Sequence, residues 1–220
     1  MHKVDYRLNA IVDGSLRDIG DLAVLARIAA DNGATIIQYR DKQASTRELL
    51  EQATAIRAAL ARSGVPLVVN DRVDVALATG ADGVHLGRDD LDPATARRLL
   101  GADAIIGVTV KNDADADAAL AAPVDYACIG GVFETLSKNN PDPPVGLDGF
   151  ARLRARIRSA RPDMPVGAIA GIDLMRAGDV VRAGASGVAM ISRIFRAADI
   201  ATATRAMRAA VDAVLKENCQ

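Results

Sequence analysis

Two acidic residues that follow neighbouring apolar runs could together bind a metal ion. Asp71 comes after the run Pro66–Val69 and Asp90 after the run Gly83–Leu86, with one helix-length segment between the runs. A strand, a helix and a strand in this order form a βαβ unit, whose parallel strands end at the same edge of the sheet. We therefore expect the two carboxylates to lie close together and to bind Mg²⁺ rather than Zn²⁺, since only oxygen ligands are offered. The alternative is that they are turn and N-cap residues, where Asp is also common.

Cationic residues after two other apolar runs suggest a phosphate ligand. Arg40 and Lys42 flank the end of the second run at alternate positions, so both side chains can lean toward the same side. Arginine suits bidentate contact with phosphate, and lysine acts as a point charge. Either cation alone would also fit a solvated loop. Together with Lys138 and the acidic pair, they predict a pyrophosphate bound through a metal ion.

Residues after the last two apolar runs indicate a second anionic subsite. Gly171 follows the seventh run, and Ile191 and Ser192 follow the eighth. Barrel enzymes often bind phosphate at this place through backbone N–H groups. Glycine after a strand can equally form only a tight turn, so both interpretations stay open at this point.

Eight strand-like runs, each followed by a helix-like segment, must position these residues. The runs are continuously apolar, as expected for strands that helices cover on both faces. Eight β/α units in 220 residues predict an α/β fold, a TIM (β/α)₈ barrel in which residues 1–220 form a single domain. An open, doubly wound sheet is the alternative if some strands are assigned wrongly. The predicted strands are Tyr6–Val12, Thr35–Tyr39, Pro66–Val69, Gly83–Leu86, Ala104–Val108, Tyr126–Gly130, Pro165–Ile169 and Gly187–Ile191. The predicted helices are Ile19–Asp31, Thr46–Arg62, Val73–Thr79, Pro93–Leu100, Asp113–Ala121, Leu147–Ser159, Leu174–Ala183 and Ile200–Lys216.

Composition and charge argue against several classes of partner. A net charge of −1 and a pI of about 6.1 indicate neither a nucleic acid nor a membrane surface as partner. Aromatic residues make up 3% of the chain and Trp is absent, so a base-stacking platform is not expected. Cys128 and Cys219 have no metal-ligand spacing and predict a reduced, cytoplasmic protein. The predicted phosphate site indicates small-molecule substrates. A homo-oligomer remains open.

Several of these segments resemble the thiamine phosphate synthase (thiamine-phosphate pyrophosphorylase) family. They run from the second to the eighth predicted strand in the family's order, and as a set they are specific. The matching segments are QYRDK at Gln38–Lys42, VND at Val69–Asp71, GVHLGRDD at Gly83–Asp90, GVT at Gly107–Thr109, GGVFETLSK at Gly130–Lys138, AGI at Ala170–Ile172 and GASGVAMIS at Gly184–Ser192.

The resemblance implies a Mg²⁺-dependent TIM-barrel transferase that joins two thiamine precursors. Hydroxymethylpyrimidine pyrophosphate would lose its pyrophosphate while the nitrogen of hydroxyethylthiazole phosphate attacks the pyrimidine methylene carbon. A carbocation-like centre on the electron-rich pyrimidine requires neither a catalytic triad nor a general base. The resemblance implies that the pyrimidine pyrophosphate is held by Gln38, Arg40, Lys42 and Asn70. It further implies that Asp71 and Asp90 bind Mg²⁺ and that Thr109 and Lys138 contact the pyrophosphate at the reacting centre, with Arg40 also catalytic. It assigns the thiazole phosphate to Thr135, Ser137 and the backbone of Gly171, Ile191 and Ser192.

A few positions depart from the family's usual pattern. Thr109 stands where Ser is common, and the hydroxyl is kept. Ala170 replaces the first glycine of the usual pair after the seventh strand, and Glu134 adds a negative charge near the expected thiazole phosphate. His85 is expected to be a hydrogen-bonded structural residue and Cys128 a core residue.

Two other functions remain open. A thiazole tautomerase of the same fold resembles this chain but uses a histidine in the loop after the fifth strand, where this sequence reads Thr109-Val110-Lys111. A non-catalytic sensor of phosphate ligands is the other alternative. The Pro- and Asn-rich segment Ser137–Gly146 is longer than usual connections, and we expect it to act as a lid.

Overall fold

Eight strands alternate with helices along the chain, and each strand pairs in parallel with the next. The structure, a computed structural model, describes residues 4–135 and 143–218. The strands are β1 (Leu8–Asp13), β2 (Ile36–Arg40), β3 (Leu67–Asn70), β4 (Gly83–Leu86), β5 (Ile105–Val110), β6 (Tyr126–Ile129), β7 (Val166–Ile169) and β8 (Gly187–Met190). The helices are α1 (Leu22–Asp31), α2 (Thr46–Leu60), α3 (Val73–Thr79), α4 (Pro93–Leu100), α5 (Asp113–Ala121), α6 (Gly146–Ala160), α7 (Leu174–Arg182), α8 (Ser192–Phe195) and α9 (Ile200–Glu217).

Pairing of the first strand with the last closes the sheet. β1 pairs with β8 through Leu8 opposite Val188 and Asn9 opposite Ala189, in addition to its pairing with β2. The predicted (β/α)₈ barrel is therefore confirmed, and the alternative of an open, doubly wound sheet is wrong. The strands are buried on both sides because helices cover the outer face and packed side chains fill the inner one.

The predicted helices and strands agree with the structure to within a few residues, with two additions. A short 3₁₀ helix, Gly14–Asp18, follows β1, and the one-turn helix α8 follows β8. Helices this short show no measurable hydrophobic periodicity, so the sequence did not predict them. Among residues 4–135 and 143–218, no helix is long and apolar enough to cross a membrane.

Two tyrosines fill the N-terminal half of the barrel. The rings of Tyr6 and Tyr126 lie 4.8 Å apart, and both side chains are buried. Glycines make room for them, since a Cβ on Gly107 would lie 1.9 Å from the Tyr126 ring and one on Gly167 would lie 1.8 Å from the Tyr6 ring. The barrel is thus packed at the end where the strands begin, and its open space lies at the end where they finish.

Side-chain caps begin several helices at this open end. Ser45 and Glu48 form a capping box at the start of α2, and Asp92 accepts a hydrogen bond from the Thr95 N–H at the start of α4. Asp173 and Asp199 cap α7 and α9 in the same way. Asp92 is therefore an N-cap residue.

Candidate functional site

A cavity of about 580 Å³ opens at the C-terminal end of the strands. Its walls come from strand ends on both sides of the barrel and from the loops after β6 and β7. Seven of the residues that the sequence assigned to substrate binding line it: Gln38, Asn70, Thr109, Thr135, Gly171, Ile191 and Ser192. Ser137 and Lys138, with most of the expected lid, lie outside the described residues.

Arg40 ends β2 and Lys42 lies just beyond it, and each contacts a carboxylate from a different neighbouring strand. Arg40 donates a hydrogen bond to Asp13 at the end of β1, while Lys42 is ion-paired with Asp71 just beyond β3. Burial acts to raise the pKa of Asp13, but hydrogen bonds from Ser15 and from Arg40 outweigh it, so this pKa lies below its usual value. Arg40 and Lys42 thus flank the cavity rather than line it.

The two predicted metal ligands lie together, as the βαβ geometry required. Burial, and then the neighbouring Asp71 carboxyl, raise the pKa of Asp90 above its usual value, although the Gly87 N–H donates to Asp90 Oδ2 over 2.6 Å. Asp71 adopts φ +64°, a left-handed conformation that Asp tolerates better than most residues, and its N–H donates to the His85 carbonyl over 2.8 Å.

This acidic pair fits a hard divalent cation. Two like charges at a partly buried site repel each other unless a cation or a proton lies between them. The described residues contain no group of three or more His, Cys, Asp or Glu side chains around one point. Mg²⁺ is commonly held by one or two carboxylates, with water and substrate phosphate oxygens completing its shell, and a pair such as Asp71 and Asp90 is compatible with this pattern.

A buried hydrogen-bonded chain orients Thr109 from below. His85 Nδ1 is hydrogen-bonded to the Tyr126 hydroxyl at 3.0 Å, and His85 Nε2 to Thr109 Oγ1 at 2.9 Å. Burial raises the pKa of Tyr126 well above its usual value, so this hydroxyl stays neutral. His85 is therefore hydrogen-bonded, as expected for a structural histidine, and it also lines the cavity. Cys128 is buried beside it in β6, as expected.

The opposite wall is built from tightly packed backbone after β6 and β7. Gly171 has φ +63°, and a Cβ there would lie 2.3 Å from the Glu134 carbonyl oxygen, so only glycine fits. Ala170 has φ +91°, which is strained for a residue with a Cβ, and its carbonyl accepts the Phe133 N–H over 3.2 Å. Glu134 also lines the cavity, where the sequence expected it to disturb the thiazole phosphate.

Four further cations line the cavity, and the sequence analysis did not select them. Arg176 on α7 donates to the Gly171 carbonyl over 2.7 Å and lies 4.7 Å from the Phe133 ring centroid. Lys111 directly follows β5 and Arg193 follows the selected Ser192, whereas Arg176 and Arg196 lie further along the chain. None of the four lies within the family motifs from which the candidates were chosen. The four are Lys111, Arg176, Arg193 and Arg196.

Sequence and structure comparisons agree on one family. The thiamine monophosphate synthase family matches residues 8–194 of this chain. The chain belongs to this family. It is 67% identical over 216 residues to the thiamine-phosphate synthase of Agrobacterium fabrum, covering 98% of each chain, and 43% identical to that of Chloroflexus aurantiacus, covering 96% of this chain and 94% of the relative.

A solved member of the family has the same fold. The thiamine phosphate pyrophosphorylase from Pyrococcus furiosus superposes with a TM-score of 0.83 at 34% identity, covering 97% of this chain and 98% of that one. Membership makes this barrel a transferase of thiamine biosynthesis, and the resemblance seen in the motifs is confirmed.

Proposed function

We propose that this barrel condenses hydroxymethylpyrimidine pyrophosphate with hydroxyethylthiazole phosphate to give thiamine phosphate and pyrophosphate. The observation that carries the proposal is the convergence of Gln38, Asn70 and Thr109 on one cavity whose rim bears a close pair of carboxylates. Family membership supports the same reaction.

Asp71 and Asp90 would hold Mg²⁺ at this rim. The bound ion would neutralise charge on the leaving pyrophosphate. Arg40 and Lys42 would add positive charge from the β2 side, and Lys42 already contacts one member of the acidic pair. Preorganised charges of this kind stabilise the transition state because they need not reorient as the negative charge develops.

Thr109 and Lys138 would contact the pyrophosphate next to the reacting carbon. His85 holds the Thr109 side chain in one orientation, so its hydroxyl is available at a defined position of the cavity wall. The role of Lys138, like that of Ser137, rests on the family motif alone.

The thiazole phosphate would lie on the opposite wall, against Thr135 and the backbone of Gly171, Ile191 and Ser192. Ser192 begins the one-turn helix α8 and lines the cavity on this side. Arg176 and Arg193 line the same cavity as Glu134, so positive charge is present beside this carboxylate.

Bond making and breaking would need little from the protein beyond position and charge. The C–O bond to pyrophosphate breaks, its electron pair leaves with the phosphate oxygen, and the thiazole nitrogen supplies the new C–N bond. No proton moves in this step, so no general base is required. Holding both substrates in line can lower the barrier by roughly 7–11 kcal/mol.

Release of pyrophosphate on mixing the purified protein with both substrates tests this function directly. We expect stoichiometric thiamine phosphate and pyrophosphate, with neither formed when one substrate is omitted. Binding of both compounds without release would identify a phosphate-ligand sensor instead. Isomerisation of a thiazole compound alone would identify a tautomerase.

We also propose that residues 1–220 act as one functional domain in the cytoplasm, on small molecules and without a nucleic-acid partner. The low aromatic content and near-neutral charge support the part of this proposal that concerns nucleic acid. Light scattering of the purified chain would decide between a monomer and a homo-oligomer.

A further inference from the structure

Asn9 is a buried polar residue without a hydrogen bond of acceptable geometry in the described part of the barrel. It lies in β1, shows 0% exposure and lines the floor of the cavity. Within residues 4–135 and 143–218, neither its Oδ1 nor its Nδ2 has a hydrogen-bond partner. The Tyr6 hydroxyl, on the same floor, is likewise buried without a partner of acceptable geometry in this part of the chain.

The residues that pair with Asn9 on the neighbouring strands are apolar, although the Tyr6 hydroxyl lies close to its amide. Asn9 lies opposite Ile36 on one side of β1 and opposite Ala189 on the other. A buried polar group without a partner destabilises the folded state by about 1–3 kcal/mol. The amide therefore opposes folding of the ligand-free chain unless another molecule pairs with it.

Charge is segregated within the cavity. The cations Arg176, Arg193 and Arg196 lie on α7, on α8 and just beyond it, past the strand ends, whereas the floor around Asn9 is neutral. Burial, followed by the influence of Cys128, raises the pKa of Tyr6 well above its usual value, so its hydroxyl carries no charge at neutral pH. A ligand with an anionic end and a neutral ring would thus place its ring toward the floor.

We propose that Asn9 is a specificity-determining residue that hydrogen-bonds to the edge of a neutral heteroaromatic ring. Its amide presents one acceptor and one donor side by side, which complements a ring nitrogen next to an amino group. The aminopyrimidine half of the substrate has such an edge, so this inference rests on the proposed function. Gln38 lies one inward-facing position further along the barrel, since it pairs with Ile11 and not with Asn9, and would meet the same ring nearer the rim.

Contact with the ring requires a small adjustment at the floor. Asn9 has no exposed surface in the ligand-free chain, so a neighbouring side chain must change rotamer when the ring enters. Side-chain changes of this size commonly accompany binding.

Asn9→Leu and Asn9→Asp test the assignment, with Tyr39→Phe as the matched control. Leucine is close in size to asparagine and cannot hydrogen-bond. Aspartate keeps the shape and the accepting oxygen of asparagine but lacks its amide N–H donor. Tyr39 also has a buried hydroxyl without a described partner, but it does not line the cavity. Calorimetry would measure the affinity of each variant for hydroxymethylpyrimidine pyrophosphate, for its analogue with hydrogen in place of the amino group, and for inorganic pyrophosphate.

We expect both Asn9 variants to bind the aminopyrimidine compound roughly 5- to 150-fold more weakly, with inorganic pyrophosphate affinity unchanged. Asn9→Leu should lose the preference for the amino compound over the analogue, whereas Asn9→Asp keeps the oxygen that accepts from the amino group and should retain it. Tyr39→Phe should behave as the parent chain. If Asn9→Leu keeps both affinity and preference, the amide does not touch the ring and the proposal is overturned, whatever happens to stability. Asn9→Ser replaces either variant that fails to fold. Failure of the parent chain to form thiamine phosphate would instead overturn the proposed function.

Discussion

Lys42 and Asp71 form an ion pair across the ends of β2 and β3. Half of the Lys42 side-chain surface is exposed, at 50%, whereas that of Asp71 is 17% exposed, so the cation reaches from solvent onto a sheltered carboxylate. The same carboxylate raises the pKa of Asp90. Lys42 therefore offsets part of the negative charge of the acidic pair in the ligand-free chain.

Removing either carboxylate should abolish metal-dependent turnover. We expect Asp71→Asn and Asp90→Asn each to reduce turnover by orders of magnitude while the barrel stays folded, because one neutral ligand weakens Mg²⁺ binding at a two-carboxylate site. Steady-state assays across a Mg²⁺ titration, with circular dichroism as the folding check, measure this. Full activity of the parent chain in excess chelator would contradict the two-carboxylate site.

The raised pKa of Asp90 predicts a pH-dependent effect on stability. Ionised Asp90 is less favourable in the folded than in the unfolded chain, so its penalty is absent below the usual pKa of 3.8 and grows as the pH rises through the folded-state value. At pH 7 in chelator, Asp90→Asn should therefore melt at a higher temperature than the parent chain, and the difference should shrink at pH 4. If Asp90→Asn and the parent chain melt at the same temperature at both pH values, then solvent and Lys42 already offset the repulsion between the two carboxylates.

The β2 cations should act on one substrate only. Arg40→Ala or Lys42→Ala should weaken hydroxymethylpyrimidine pyrophosphate binding at least about tenfold, since each removes a charged partner of the pyrophosphate, and leave thiazole phosphate affinity unchanged. Arg152→Ala is the control because Arg152 forms an exposed ion pair with Asp113 between two outer helices. Titration calorimetry with each ligand separates the subsites. An equal loss of affinity for both ligands would mean that these cations contribute to both subsites.

The contribution of Thr109 to kcat should depend on its hydroxyl and on the hydrogen bond from that hydroxyl to His85. Thr109→Ser keeps the hydroxyl and should retain most activity, whereas Thr109→Val should lower kcat roughly 10- to 100-fold with little change in stability. His85→Phe removes the hydrogen bond that orients Thr109 and should lower kcat more than it raises either KM. Retention of full kcat by Thr109→Val would remove this hydroxyl from the mechanism.

Ala170 should be replaceable by glycine with a gain in stability. A non-glycine residue at φ +91° stores about 1–3 kcal/mol of backbone strain, and glycine relieves it at the cost of some unfolded-state entropy. We expect Ala170→Gly to raise the free energy of unfolding by about 1 kcal/mol, measured in urea. Ala58→Gly, at an exposed position of α2, is the control and should lower it by about 0.5–1 kcal/mol. A loss of stability in Ala170→Gly would show that the surrounding loop favours this conformation.

The sequence by itself determined the alternation of strands and helices and the edge at which the chemistry lies. Continuous apolar runs identify strands covered on both faces, and parallel strands separated by helices must end at one edge. The family motifs near the strand ends therefore indicated the cavity residues Gln38, Asn70 and Thr109, and the βαβ order predicted the closeness of Asp71 to Asp90. These inferences need only local order along the chain.

Only the tertiary structure decided which side chains face one another. A continuously apolar strand does not reveal which alternate residues point inward, so the place of Asn9 on the cavity floor could not be predicted. Pairing of β1 with β2 brings Asp13 beside Arg40, and closure of β1 onto β8 carries the α7 and α8 arginines to the same opening. Both depend on contacts between residues far apart in sequence. Such contacts depend on how the barrel packs as a whole, which local patterns do not encode.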